Sequence, residues 1–310
     1  MTPTPPPPSL FRVSHRVALA LESNRPVVAL ETTVVTHGLP HPQGVAVAAA
    51  IERVVRQAGA EPATIGVLDG AVCVGLEPGE LERLATTPKV PKLNLSNLAA
   101  HVAGGGPGST TVAATMLAAS RVGIEVFATG GIGGVHRDVC DTLDVSADLS
   151  ALARFPVAVV CAGAKAVLDL PKTIELLETL GVPVLGYRTD VFPAFYRRDS
   201  GLPVDRRFEA LADLARAIRA HHALGAGAGV IVANPVPAEN ELPRELYDRA
   251  LVTALADAGR AGIVGRSVTP FLLDRVRDLT EGQSVFSNRA LLEHNAKVAG
   301  GLAVEMASTR

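Results

Sequence analysis

The chain has 310 residues, with 29 lysines and arginines against 31 aspartates and glutamates, so its formal net charge is −2. A composition of 48% hydrophobic and 19% charged residues excludes a disordered chain. The near-neutral charge argues against a protein that holds duplex nucleic acid by neutralising phosphates, and no apolar run approaches the ~20 residues of a membrane span.

The first residues, MTPTPPPPSL, are dense in proline and lack the basic and apolar regions of a signal peptide. They predict a disordered, proline-rich tail over residues 1–12, followed by a single α/β catalytic domain over residues 13–310. The spacing of the cysteines indicates neither disulfide pairs nor a metal site, which fits a reducing cytoplasm: Cys73, Cys140 and Cys161.

Short apolar runs alternate along the chain with longer helical stretches. The runs predict strands at Val27–Leu30, Thr64–Leu68, Glu125–Ala128, Val157–Cys161, Val182–Gly186 and Val230–Ala233. The stretches between them predict helices near 43–59, 78–85, 109–122, 165–180, 206–223, 242–260, 267–279 and 287–307. Pro171 predicts a break inside the fourth of these helices. The alternation predicts a central, largely parallel sheet flanked by helices.

Ligands bind such a sheet where its strands end, and Glu31 stands at the end of the first predicted strand, in ALETTVVTHG. Its neighbours are apolar or β-branched, so the carboxyl group is expected to be withdrawn from water. Desolvation raises the pKa of a carboxyl group and can make it a general acid near neutral pH. The other interpretation is a glutamate at an exposed strand end, paired with an arginine.

Lysine is scarce, with only five residues against 24 arginines. One of the five, Lys165, follows a buried strand in VVCAGAK, among small and apolar residues. Such surroundings favour the neutral amine, which is the nucleophile that forms a Schiff base. The alternative is a lysine stem lying over the start of a helix.

A glycine-rich loop, Thr129 to Arg137 (TGGIGGVHR), follows the third predicted strand. Its backbone amides, together with Thr129 and His136, predict a site for an anion such as a phosphate; the alternative is a tight, packed turn. The aspartates that follow suit a hard cation, or they are helix caps and solvated acids: Asp138, Asp141, Asp144 and Asp148.

Eight motifs then occur in order over about residues 15 to 305: VALETTVVTHGLPHPQ, TTVAATM, FATGGIGGVHR, DVSADL, VVCAGAKAVLDL, VANPVP, TPFLL and SN. In these motifs the sequence resembles the pseudouridine-5′-phosphate glycosidases, which interconvert pseudouridine 5′-phosphate with uracil and ribose 5-phosphate. The resemblance implies a cytoplasmic homotrimer that uses a divalent metal, preferably Mn²⁺, and does not act on nucleic acid or membranes.

The resemblance also implies site residues. The nucleophile matches Lys165, the proton donor Glu31 and the metal-binding aspartate Asp144. A further substrate lysine matches Lys92, with Lys89 as the alternative, because the stretch after Lys92 departs from the family pattern. The other predicted substrate contacts are Val112, Thr129, His136, Ser146, Ala147, Asp148 and Asn288.

The chemistry explains why a lysine and an acid belong together. Pseudouridine joins ribose to uracil through a carbon–carbon bond, so the leaving group is a carbon. If the ribose opens, its C1′ can form an imine with the lysine, which permits carbon–carbon cleavage as in a retro-aldol reaction. The departing uracil carbon then takes a proton from an acid held nearby.

Two other functions stay open. A class I aldolase-like lyase acting on a sugar phosphate would use the same imine lysine without a base site. A non-catalytic sugar-phosphate sensor would need only the glycine loop, and would leave Glu31 and Lys165 without a role.

Overall fold

A computed structural model describes residues 10–38, 41–165, 167–263 and 268–308. Within these ranges the strands are β1 (Phe11–Val13), β2 (Val27–Leu30), β3 (Glu61–Leu68), β4 (Ala71–Val74), β5 (Lys92–Leu93), β6 (Gly108–Thr110), β7 (Val126–Ala128), β8 (Ala158–Cys161), β9 (Val184–Tyr187), β10 (Arg206–Phe208) and β11 (Val230–Ala233).

The helices over the same residues are α1 (His15–Glu22), α2 (Gln43–Gln57), α3 (Pro78–Thr86), α4 (Leu98–Gly104), α5 (Val112–Val122), α6 (Val139–Thr142), α7 (Ala147–Leu152), α8 (Leu170–Thr179), α9 (Leu211–Ala223), α10 (Arg244–Arg260), α11 (Val268–Leu279) and α12 (Gln283–Ser308), with a π-helix at Val34–Gly38 and a 3₁₀ turn at Ala238–Asn240.

The strands form one sheet in the order β1-β4-β3-β2-β7-β8-β11-β9-β10, with β6 beside β3 and β5 beside β6. Only β3–β4 and β3–β6 pair antiparallel. Every residue of β2, β7, β8 and β11 is buried. Successive side chains of a strand point to opposite faces, so the centre of the sheet is covered on both. The predicted single-domain α/β fold is therefore confirmed.

The long last helix covers the middle of the sheet. Helix α12 packs against α2, α9 and strands β2, β7 and β8, and small residues let it approach closely: a Cβ on Gly300 would lie 2.5 Å from Ala58 Cβ. No helix within the described residues is long and apolar enough to cross a membrane.

All six predicted strands are present, but several boundaries were wrong. Of the predicted tail, residues 1–9 lie outside the described ranges, and Phe11 and Arg12 belong to β1. Ser109 and Thr110, predicted to be helical, lie in β6, and 206–208, also predicted to be helical, form β10. Residue 267, at the start of a predicted helix, is not described.

Pro171 does not divide a helix in two. Helix α8 begins at Leu170, so the proline lies in its first turn, where it replaces an N–H that has no partner within the helix. The Asp169 side chain caps this end by accepting a hydrogen bond from the Lys172 N–H at 3.1 Å.

Candidate active site

Three adjacent parallel strands deliver the predicted chemical groups to one edge of the sheet. Strand β7 lies between β2 and β8. Glu31 directly follows β2, Thr129 directly follows β7, and Lys165 comes four residues after the end of β8. The carboxyl ends of parallel strands face one crevice, so the fold brings the predicted acid and nucleophile together.

These groups line an open cavity whose empty space, including the part open to solvent, is about 560 Å³. Five predicted site residues are part of its wall: Glu31, Lys92, Thr129, Lys165 and Asn288. Six others are not among the lining residues: Val112, His136, Asp144, Ser146, Ala147 and Asp148. Lys89, the alternative to Lys92, does not line the cavity either.

Two threonines hold the Glu31 carboxylate. The Thr129 hydroxyl donates to Glu31 Oε1 and the Thr33 hydroxyl donates to Oε2. Burial raises the pKa of Glu31, while the Lys165 charge and the two hydrogen bonds pull it down in part. The net shift is upward, which is the property expected of a general acid that must carry a proton near neutral pH.

Lys165 is placed by a tight backbone turn. Its N–H donates to the carbonyl of Ile132 at 3.1 Å, and the Ile132 N–H donates to the carbonyl of Gly163 at 3.0 Å. Gly163 has φ +76°, and a Cβ there would lie 1.9 Å from the carbonyl oxygen of Pro193. Only glycine fits that position, so the small residues before Lys165 serve backbone packing.

Lys92 is the second cation of the cavity wall. Its strand is held by the Asn97 side chain, which donates to the Lys92 carbonyl at 3.0 Å. Withdrawal from water lowers the pKa of Lys92, and the Lys165 charge lowers it further, although Glu31 and Asp274 act in the opposite direction. The two lysines therefore lie close enough to repel each other.

His37, on the π-helix, also lines the cavity. The His37 side chain reaches solvent, but partial desolvation in the cavity wall and the nearby Lys92 charge lower the pKa of His37 to about 4, so its ring is neutral at physiological pH. Its Nδ1 lies 2.6 Å from the hydroxyl of Thr36. The ring adds a polar but uncharged surface to the cavity.

The glycine loop does not form the predicted cradle of free amides. The N–H groups of Ile132 and Gly133 donate to the Gly163 carbonyl and the Asp148 carboxylate. Those of Val135 and His136 donate to the Thr173 hydroxyl and the Asp144 carbonyl. The alternative interpretation, a tight and packed turn, therefore describes these four residues. Of the loop glycines, only Gly130 and Gly131 line the cavity.

Asp148 joins the loop to two helices. Its Oδ2 accepts from the Gly133 N–H at 2.8 Å and its Oδ1 accepts from the Ala113 N–H at 3.0 Å. Only 6% of the residue is exposed. Ser146 caps α7 by accepting from the Asp148 N–H, while Val112, the first residue of α5, lies in the core. In this structure Asp148 and Ser146 therefore hold the backbone of the glycine loop, α5 and α7 in place and do not line the cavity.

Asp144 lies farther along the same segment. Its Oδ2 is 3.8 Å from His136 Nδ1, and no group of three or more His, Cys, Asp or Glu side chains with metal-site geometry occurs in the described ranges. Asp138 and Asp141 are exposed. One carboxylate cannot enclose Mn²⁺, but it suits a largely hydrated cation bound through a single carboxylate and a substrate phosphate.

The sequence analysis missed the support beneath Thr129. The Asn295 side chain on α12 donates to the Thr129 carbonyl at 2.8 Å and accepts from the Asn234 side chain at 2.8 Å. Asn295 is 1% exposed. The sequence did contain a signal for this role, because Asn295 is an amide among the alanines and leucines of a buried helix face. Asn234 directly follows β11 at the same edge of the sheet.

Phe195 forms an apolar wall of the cavity and was also missed. Its backbone has φ +60°, and its ring lies so close to the glycine loop that a Cβ on Gly131 would come within 2.6 Å of it. Leu273 of α11 and Leu292 of α12 extend this wall. No hydrophobic pattern distinguishes these three side chains from ordinary core residues.

Comparison with known proteins places these features in a family. The Indigoidine synthase A like protein family matches residues 16–305. A pseudouridine-5′-phosphate glycosidase from Methylobacterium nodulans is 54% identical over 98% of this chain and 90% of its own length. One from Caldanaerobacter subterraneus is 49% identical over 95% and 96%, respectively.

A solved structure agrees in fold. The prealnumycin C-glycosynthase AlnA, in complex with ribulose 5-phosphate, has a TM-score of 0.91 and 40% identity, and covers 98% of this chain and 99% of its own. The resemblance found in the sequence motifs is confirmed over nearly the whole chain. The chain therefore belongs to the pseudouridine-5′-phosphate glycosidase family, among the Indigoidine synthase A like proteins.

Proposed function

We propose that this chain is a pseudouridine-5′-phosphate glycosidase, which reversibly cleaves the carbon–carbon bond of pseudouridine 5′-phosphate to give uracil and ribose 5-phosphate. The observation that carries the proposal is the meeting of Glu31 and Lys165 in one cavity. An acid with a raised pKa beside an amine nucleophile is the pair that this cleavage requires.

The C1′–O4′ bond of the ribose opens as the Lys165 amine bonds to C1′, and a proton from the amine goes to O4′. The bond from C1′ to the uracil carbon then breaks with its electron pair on uracil, the nitrogen lone pair forms the C1′=N imine, and Glu31 gives its proton to the uracil carbon. Water hydrolyses the imine and releases ribose 5-phosphate and free Lys165. In the synthetic direction, Glu31 takes the proton from uracil.

The Lys165 ammonium stabilises the Glu31 carboxylate. Cleavage needs the neutral amine of Lys165 and the protonated carboxyl group of Glu31.

Lys92 is the residue that we assign to the 5′-phosphate. Lys165 is committed to C1′ and His37 is neutral, which leaves Lys92 as the cation for the other end of the sugar. A phosphate supplies the counter-charge that favours the protonated form of Lys92. Thr129 is already committed to Glu31, and Asn288 offers an amide for the polar edge of uracil.

We assign a divalent cation, with Mn²⁺ preferred, to Asp144. Asp144 does not line the cavity, so this assignment rests on the family resemblance and on the preference of hard cations for carboxylate oxygens. The direct measurement is Mn²⁺ binding by electron paramagnetic resonance, in which Asp144→Asn should weaken binding while Asp141→Asn, at an exposed position on α6, should not. Equal Mn²⁺ binding by wild type and Asp144→Asn would contradict this assignment.

The test of the proposed function is incubation with pseudouridine 5′-phosphate and Mn²⁺, followed by detection of uracil and ribose 5-phosphate. Release of a triose from a sugar phosphate without uracil release would instead indicate the aldolase-like lyase. Binding of sugar phosphate without turnover would indicate the sensor.

We also propose that the protein acts in the cytoplasm as a homotrimer. The expectation rests on the family resemblance and on the absence of a disulfide between the described cysteines. Light scattering after size-exclusion chromatography should give the mass of three chains, and a monomeric mass would contradict it.

A further inference from the structure

Glu31 also lines a second cavity, here called the rear cavity, whose wall contains neither Lys165 nor Lys92. It has room for about one water molecule. Glu31, Val34, Thr129 and Leu292 line both this rear cavity and the substrate cavity. The acid therefore stands in the partition between the two.

The rear cavity has one polar side chain besides those of the partition, Thr64. Thr64 lies on β3, in register with Leu30, the residue before Glu31. It is 1% exposed. The remaining wall is aliphatic, from Leu30, Ala48, Ile51 and Ala128. A water molecule in this cavity would therefore find its hydrogen-bond partners at Thr64 and at the Glu31–Thr129 pair.

Thr64 leads from the cavity toward solvent. Its hydroxyl donates to Glu52 Oε1 at 2.5 Å. Glu52 lies on α2, one residue after Ile51, and its other oxygen pairs with Arg56 at 3.2 Å. The Glu52 side chain is 13% exposed and the Arg56 side chain is 46% exposed. A buried hydroxyl is thus joined to a carboxylate that reaches the surface.

We propose that Glu52, Thr64 and one water molecule in the rear cavity form a proton path that connects Glu31 with bulk solvent while substrate fills the front cavity. The proposal deepens, and rests on, the proposed glycosidase function. After cleavage, Glu31 is a carboxylate. Once the Thr64 hydroxyl has turned from Glu52 toward the water, Glu52 takes a proton from solvent, Thr64 takes one from Glu52 and gives its own to the water, and the water gives one to Glu31. In the synthetic direction protons move the other way, along the Thr64-to-Glu52 hydrogen bond that the structure shows. One proton enters and no covalent bond between heavy atoms changes.

A path of this kind answers a requirement of the reversible reaction. Glu31 must regain a proton after cleavage and lose one after synthesis. Both proton transfers occur while a sugar is bonded to Lys165. Two hydroxyls hold the Glu31 oxygens within the partition. The rear cavity gives the carboxyl group contact with a proton donor that the substrate does not displace.

The experiment runs the reaction in the synthetic direction, with ribose 5-phosphate and uracil that carries deuterium at the carbon joined to ribose. When the carbon–carbon bond forms, Glu31 takes the deuteron. If it exchanges with solvent before the reaction reverses, the recovered uracil carries hydrogen. Mass spectrometry measures the deuterium lost from uracil per molecule of pseudouridine 5′-phosphate formed.

We expect this exchange ratio to be high in the wild type. In Thr64→Val it should fall roughly tenfold or more, short of the 10²–10⁴-fold typical of losing the acid itself. Thr64→Ser keeps the hydroxyl and should restore the ratio. Glu52→Gln should lower it as Thr64→Val does, and Ile51→Val, which trims the cavity wall without touching the hydroxyl, should not.

The outcomes separate the two proposals. An active Thr64→Val enzyme with the wild-type ratio, or a wild type that returns all its deuterium to uracil, would overturn the proton path. If Thr64→Val does not fold, Glu52→Gln decides in its place. Absence of both product and exchange in the wild type would instead overturn the proposed function.

Discussion

Replacing Asp148 by asparagine separates a supporting role from a substrate contact. The family resemblance assigns Asp148 to substrate, but both of its carboxylate oxygens accept backbone N–H groups, from Gly133 and Ala113. Asparagine has nearly the same shape, with one oxygen and one NH₂ group. It can therefore accept only one of the two hydrogen bonds, and its NH₂ must face the other N–H.

The expected loss follows from that geometry. A buried N–H left without an acceptor costs about 1–3 kcal/mol. An unfolding entropy of about 2.1 cal/mol/K per residue makes 1 kcal/mol worth about 1.5 °C in Tm for a chain of 310 residues, so Asp148→Asn should melt roughly 1.5–5 °C below wild type. The measurement is thermal unfolding followed by circular dichroism. Asp141→Asn, at an exposed position on α6, is the control and should change stability by less than about 0.5 kcal/mol.

A result of the opposite kind would refute this reasoning. If Asp148→Asn unfolds at the wild-type temperature but binds ribose 5-phosphate much more weakly, the carboxylate serves the ligand and not the frame. If both stability and binding decline, Ser146→Ala is informative. It removes the α7 cap without removing the two bonds to Asp148.

Three further results follow from the site. Cleavage requires protonated Glu31, so kcat should fall as pH rises through the raised pKa of Glu31. Thr129→Val removes a hydrogen bond that stabilises the carboxylate, so this fall in kcat should move to higher pH. A fall at the same or a lower pH would contradict the prediction. After mixing with pseudouridine 5′-phosphate, intact mass spectrometry should show a sugar adduct on Glu31→Gln, whose uracil release should be slowed about 10²–10⁴-fold. It should show no adduct on Lys165→Ala. Turnover of Glu31→Gln at the wild-type rate would assign the acid to another residue. Gly163→Ala should lower Tm, because a left-handed backbone costs alanine about 1–2 kcal/mol before its Cβ meets the Pro193 carbonyl at 1.9 Å; an unchanged Tm would show that the turn can relax.

The sequence was sufficient to predict that Glu31 and Lys165 lie at one edge of the sheet. The apolar runs before Glu31 and Lys165 are long enough to mark buried strands, and the alternation with helices implies parallel pairing. Parallel strands place their carboxyl ends at one edge, so two residues 134 positions apart could be expected in one crevice. The structure confirms that the two line the same cavity.

Pairing between distant segments could not be predicted in the same way. Strand β6 carries Ser109 and Thr110, whose burial depends on pairing with β3 and on bonds such as that from Thr110 to the Ile65 carbonyl at 2.6 Å. Strand β10 has two exposed arginines and pairs only with β9. Neither segment has the apolar character of a central strand, so local pattern favoured helix.

The glycine loop shows why a motif can predict a location and miss a role. Glycine serves equally where an anion must reach the backbone and where another side chain must pack close. A Cβ on Gly133 would lie 2.2 Å from Ser146 Oγ, and one on Gly134 would lie 2.5 Å from Thr173 Oγ1. These contacts come from segments 13 and 39 residues away. They show that Gly133 and Gly134 are needed for close packing and do not expose backbone to an anion.

Close packing on the glycine loop also serves the proposed chemistry. An imine is hydrolysed by water, so formation of the carbon–carbon bond in the synthetic direction is favoured where water is kept from C1′ until uracil has attacked. Gly130 and Gly131 let the Phe195 ring lie against the loop, beside the cavity that Lys165 enters. The Glu31 carboxylate is held at the ends of β2 and β7 by Thr33 and Thr129. The aromatic ring thus limits the access of water to the sugar, while the two threonines keep the proton donor in place.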